Sequence, residues 1–216
     1  MIESINDFNK RLNEVDILIK YAQANQHSID KCKLFLKAAI VLLCSHFEVF
    51  IEAFIEEHVD LIKANYNNIT LPQYMKDNFI DDTFNSYKNV PKPSKKQKPL
   101  KALFQLYGNA PLCLSSLSDL MLDTKYGFGK HGQSETDRIF KKFGFGNFVN
   151  TTDYKGPFIK INSAIAIRNN IIHEGSAPTL SCEDLVDYKT NFQQFTAALE
   201  RYMIENQENY YGKVVF

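Results

Sequence analysis

The chain has 216 residues, 25 of them basic and 25 acidic, so the formal net charge is zero and no overall field marks nucleic acid or an anionic membrane as partner. Hydrophobic residues make up 44 % and charged residues 23 %, a balance that suits one domain with a real core, or one domain carrying a sizeable insertion. Seventeen Phe and eleven Tyr without a Trp point to an aromatic interior.

The opening MIESINDFNK lacks the basic-then-apolar pattern of a signal peptide, and the longest apolar run, AAIVLLC, is far short of the roughly 20 residues of a bilayer span. A cytoplasmic setting without membrane contact is expected. Cys32, Cys44, Cys113 and Cys182 show neither a CxxC pair nor a short Cys/His spacing, which favours structural thiols over metal ligands or disulfides.

In chain order, Ile5, Phe8, Leu12, Val15, Ile19 and Ala22 recur at three- and four-residue steps and predict an amphipathic helix over about 3–25, with Ser4 and Asp7 as a capping pair. Ser28 or Asp30 is expected to cap a second helix reaching about Ala64; it is apolar nearly all round, as in a central helix contacted on several sides. A third helical piece covers about 72–88. The stretch VPKPSKKQKPL, with three prolines and four lysines, then reads as a basic loop over about 90–99.

LKALFQLYG and APLCLSSLSDLML read as shorter helices, followed by a glycine-punctuated loop. Ser134 with Asp137 is expected to cap a short helix over about 135–143. The next helix is expected from Phe158 to Glu174, stopped by Gly175 with Pro178 just beyond. Ser181 with Asp184 caps a last helix reaching about Glu205, and the tail NYYGKVVF is left unassigned. The expected fold is all-α: one domain over 1–216, with an insertion over about 70–150 between its first and last helix pairs.

The penultimate helix ends IAIRNNIIHEG, with Arg168 and His173 inside an otherwise apolar segment. Spaced by five, the two residues lie about 140° apart and about 7.5 Å along the axis, which disfavours a compact metal site. Asn169 and Asn170 lie four and three residues before His173, within reach of its ring. The negative end of the helix dipole favours the imidazolium there, and Arg168 opposes it. Such a pair suits RNA cleavage without metal: a base takes the proton of the ribose 2′-hydroxyl, an acid protonates the leaving 5′-oxygen, and a fixed cation stabilises the phosphorane. One histidine does not readily serve both transfers, whereas a two-fold dimer would supply two. A polar edge on a core helix is the plainer reading of the same residues.

RNNIIH fits the Arg-x(4–6)-His motif of the HEPN superfamily, including its frequent Asn after the arginine. LCSHFEVFIEAFI resembles the long early helix of RiboL-PSP-type HEPN proteins, and TKYGFGKHGQSETDRIFKKFGF is similar to the segment before their final two helices. The resemblance spans about residues 35–205. It implies a four-helix bundle, in many members a metal-independent endoribonuclease of toxin–antitoxin or antiphage systems, needing no cofactor. Arg168 would contact the scissile phosphate, His173 would act in proton transfer, and Asn169 would position them. RNA as substrate, a 2′,3′-cyclic phosphate product, a homodimer and an antitoxin or defence partner follow from the same chemistry and likeness. Ile171 and Ile172 stand where the family often has small or polar residues, and are expected to pack the helix. The rival from another class is a non-catalytic helical module binding a protein or nucleotide.

Other polar groups read two ways. His46, Glu48, Glu52, Glu56, Glu57 and His58 on the second helix lack metal-ligand spacing; they are buried ties or a solvated stripe, unless Glu48 reaches the site and orients Arg168 or His173. Lys92, Lys95, Lys96, Lys98 and Lys101 are either a solvated linker or a hold on RNA phosphates. A second basic region, Lys130, His131, Arg138, Lys141 and Lys142, is interleaved with Tyr126, Phe128, Phe140 and Phe143, which read as core residues before base-stacking ones.

Overall fold

The computed structural model describes residues 2–65, 73–92, 95–97, 100, 101, 103, 104, 122–126, 132–175 and 179–208. Among these, the regular elements are all helical: α1 Glu3–Ala24, α2 Ile29–Asn65, α3 Gln73–Asn89, α4 Gln133–Lys142, a 3-10 turn Phe148–Asn150, α5 Thr152–Glu174 and α6 Cys182–Glu205. Helices α1, α2, α5 and α6 pack as a four-helix bundle, and α3 and α4 fall between its two pairs in the chain and pack on each other. The helices predicted at LKALFQLYG and APLCLSSLSDLML lie largely or wholly outside the described residues, as do Cys113 and the C-terminal tail.

The predicted stripe of α1 is the buried one: Ile5, Phe8, Leu12, Val15, Ile19 and Ala22 all face inward. It lies antiparallel on α2, with Glu14 Oε2 3.2 Å from His46 Nε2 and Tyr21 stacked on Phe35. By length and composition, Ile29–Ile62 of α2 is apolar enough to cross a membrane; half of its most apolar stretch is buried, against α1, α5 and α6. A central helix touched on three sides needs apolar residues all round, which accounts for that composition. Phe47 is fully buried in its middle, with ring contacts to Phe8 of α1, Phe158 of α5 and both Phe192 and Phe195 of α6.

The C-terminal third of α2 is covered by residues 139–149, where Phe140, Phe143, Phe145 and Phe148 are all buried. Tyr126 is buried as well, so the described aromatic residues of this basic region build core. His58 sits among them, 4.6 Å from the Phe145 ring, with Nε2 donating to the Phe143 carbonyl at 2.9 Å. Burial holds the imidazole neutral and lowers its pKa from 6.5 to about 4, against the carbonyl bond. Between those two values the unfolded chain binds a proton that the folded chain refuses. Stability is therefore lost as pH falls below 6.5, by about 3 kcal/mol once pH 4 is reached. Urea unfolding of wild type and His58→Gln between pH 7 and 4 isolates this contribution: the difference between their losses of unfolding free energy over that range should match it.

Two expected caps are corrected by residues far away in the chain. Ser4 does not cap α1, which starts at Glu3 with Ile2 at its N-cap; its hydroxyl is buried without a partner, and Asp7 pairs with Lys10. The Glu57 carboxylate of α2 caps the helix instead, accepting from the Glu3 and Ser4 amides at 2.9 and 3.0 Å. Nor do Ser134 and Asp137 cap α4. Gly132 is at its N-cap, Asn162 Oδ1 of α5 accepts from the Gln133 amide at 3.1 Å, and Asp137 accepts from the Tyr154 hydroxyl.

Gly132 has φ +51° and ψ −127°, and an added Cβ would lie 2.9 Å from Asn162 Oδ1. Gly132→Ala should therefore cost about 1–3 kcal/mol, read as a lower urea midpoint, because it forces both a backbone conformation foreign to alanine and a clash with the cap.

The later helix ends follow local rules. Ser181 and Asp184 form the expected capping box, with bonds of 2.9 and 3.1 Å, and Gly175 ends α5 at φ +64°. α5 begins earlier than Phe158, at Thr152, because the Thr151 hydroxyl caps it through the Tyr154 amide. Pro157 lies within its second turn, where the missing amide costs a single helical bond.

Candidate functional site

Helix α5 runs antiparallel to α2, and its last two turns carry the polar residues singled out by their spacing. Arg168 is half-buried, and its Nη1 donates to Asn169 Oδ1 at 2.9 Å. The Arg168 charge acts on Cys44 and Glu48 of α2. Burial pushes the Cys44 thiol up to about 12, and Arg168 only partly opposes it, so the thiol is inert. Burial also raises the Glu48 carboxyl above the usual carboxylate range; Arg168 pulls it down and Glu52 pushes it up. Desolvation is the larger influence on Glu48, and the Arg168 charge on α5 is felt across to this acid on α2.

His173 is exposed in the last turn of α5. Asn170 is exposed too, whereas Asn169 is half-buried with its amide oxygen turned to Arg168. Ile171 packs against the core as expected, but Ile172, about 100° further round the helix, is 47 % exposed and corrects the expectation that it packs the helix. Just past His173, the Gly175 carbonyl accepts from Lys37 Nζ of α2 at 3.2 Å. Lys37, Cys44 and Glu48 are spaced by seven and four, so they form one line along α2.

Most of the other acids and histidines singled out on α2 tie the fold together. Glu52 accepts from the Tyr126 amide at 3.1 Å, Glu57 caps α1, His46 meets Glu14, and Glu56 is exposed. Burial lowers the His46 pKa despite Glu14.

The basic residues are dispersed. Lys95 is exposed, and Lys96 lies over the Tyr87 ring at 4.9 Å, both beyond the end of α3. Lys141 is exposed at the end of α4, on a cleft it shares with Asp81 and Asp82. Arg138 is gripped by Glu135 at 2.6 Å, and Lys142 is paired with Asp82 at 2.5 Å. Lys98, Lys130, Phe128 and His131 lie outside the described residues.

A four-helix bundle with an Arg-x4-His pair closing its third bundle helix defines a HEPN-type domain. More particularly, the RiboL-PSP-HEPN family model matches residues 6–205, and the chain belongs to that family. Membership points to a nuclease-type or related function. Comparisons with curated proteins and with solved structures return no match.

Proposed function

We propose that the protein is a metal-independent endoribonuclease that cleaves RNA through attack of a 2′-hydroxyl on the adjacent phosphorus. The new O–P bond displaces the 5′-oxygen of the next nucleotide and leaves a 2′,3′-cyclic phosphate. His173 takes part in the proton transfers, and Arg168 neutralises the phosphorane through its paired N–H donors. One observation carries this reading: Arg168, held by Asn169, lies about one and a half turns from an exposed histidine at the same helix end.

One chain offers a single histidine for two proton transfers, so the working form is a homodimer that brings two copies of this helix end into one cleft. Lys95, Lys96, Lys98, Lys130 and Lys141 are assigned to other RNA phosphates, Lys141 well away from this cleft. The protein acts in the cytoplasm as a toxic or antiphage effector, restrained by a partner protein. RNA degradation in EDTA by wild type, Arg168→Ala and His173→Ala tests the chemistry. Cleavage by wild type that both variants lose is expected. Cleavage undiminished in both variants overturns it, and no cleavage by wild type leaves the non-catalytic binding module.

A further inference from the structure

The ammonium of Lys37 reaches across from α2 to the one helix end that carries His173, and nothing in the proposed reaction uses it. Its stem is half-buried, while the group it binds, the Gly175 carbonyl, is at the exposed end of α5. Bonding the last carbonyls of a helix is a common use of a lysine. This lysine, however, sits in a particular register. Seven residues separate Lys37 from Cys44 on α2, whose thiol feels the Arg168 charge, and seven separate Arg168 from Gly175 on α5, so the Lys37 contact and that electrostatic influence fit one antiparallel alignment of the two helices. Lys37 therefore meets α5 about 10 Å beyond Arg168, with His173 between them along the axis. An ammonium has three donors, and the carbonyl takes one.

We propose that Lys37 is a phosphate-binding residue of the site, so that a single RNA strand crossing His173 meets a cation on each side of it. Arg168 holds the scissile phosphate, and Lys37 holds a neighbouring one through the donors that Gly175 leaves over. A flexible point charge suits this flanking role, as the planar fork suits the reacting phosphate. The role rests on the ribonuclease reading for its substrate, but the contact itself is open to a binding measurement that needs no cleavage.

The probe is a 2′-O-methyl oligoribonucleotide, which lacks the attacking hydroxyl. Its affinity is measured by fluorescence anisotropy over a salt series for wild type, Lys37→Gln and Lys37→Arg, together with their melting temperatures and their cleavage of unmodified RNA in EDTA. Lys37→Gln should weaken binding roughly three- to tenfold and flatten the slope of log K against log salt by about 0.7, the share of one phosphate contact on a single strand; Lys37→Arg should restore both. Unchanged affinity and slope in Lys37→Gln, or no binding by wild type, overturns the proposal. A lower melting temperature with an unchanged slope also overturns it, because the lysine would then only cap α5. If Arg168→Ala and His173→Ala abolish cleavage while Lys37→Gln behaves as wild type, the Lys37 role alone falls. If wild type binds but does not cleave, the ribonuclease reading falls, and the slope still decides the contact.

Discussion

The His173→Ala change should lower RNA cleavage in EDTA by about two to four orders of magnitude, the range for losing a positioned acid or base. Because His173 is exposed, the same change should leave the melting temperature within about 2 °C of wild type. That separation of activity from stability is what a chemical role predicts and a structural one does not. Arg168→Ala should cost about two to three orders in rate, as for removal of a group that stabilises developing charge. Arg168→Lys keeps the charge but loses the planar fork and the geometry of the Asn169 bond, so it should recover only part. Residues that act as a unit are not additive, and the double variant should be little slower than the worse single one. Rates with a defined RNA, taken beside thermal melts of each variant, check the whole set.

The largest stability effect is expected at Phe47. Its ring is fully buried and touches rings on α1, α5 and α6 as well as its own helix. Phe47→Ala removes partners from every wall of the bundle at once, and should cost about 3–5 kcal/mol. Set against a typical total of about 5–15 kcal/mol, that removes at least about a fifth of the stability. Urea denaturation should show a lower midpoint with an unchanged slope if the native state keeps its compactness. Arg201 with Asp153 and Lys160 with Asp187 also join α5 to α6, but both are exposed ion pairs, and removing either should be nearly neutral.

Much of the fold could be read from neighbouring residues. The α1 stripe, the apolar α2, the capping box at Ser181 and the stop at Gly175 all depend on groups within about four positions of each other. The caps of α1 and α4 could not be read in this way. Ser4 and Ser134 look like caps by local pattern, yet the amides are satisfied by Glu57, more than 50 residues from the α1 start, and by Asn162, 29 residues from Gln133. A local pattern names residues able to cap; packing decides whether a better-placed acceptor arrives first.

The candidate site divides in the same way. Arg168, Asn169 and His173 share one helix turn and a half, so their grouping and the family likeness were legible in IAIRNNIIHEG alone. So were the helical periods, the all-α class and the end of α5, because each is set by side chains and amides that are close in the chain. Tertiary structure alone decided that the Arg168 charge acts on Glu48 and Cys44, that Glu57 and Asn162 cap distant helices, and that Lys37 meets Gly175 from 138 residues away. These contacts depend on how α2 slides and rotates against its neighbours, and that register is set by the fit of buried rings such as Phe47 against the whole bundle, which no short stretch of sequence contains.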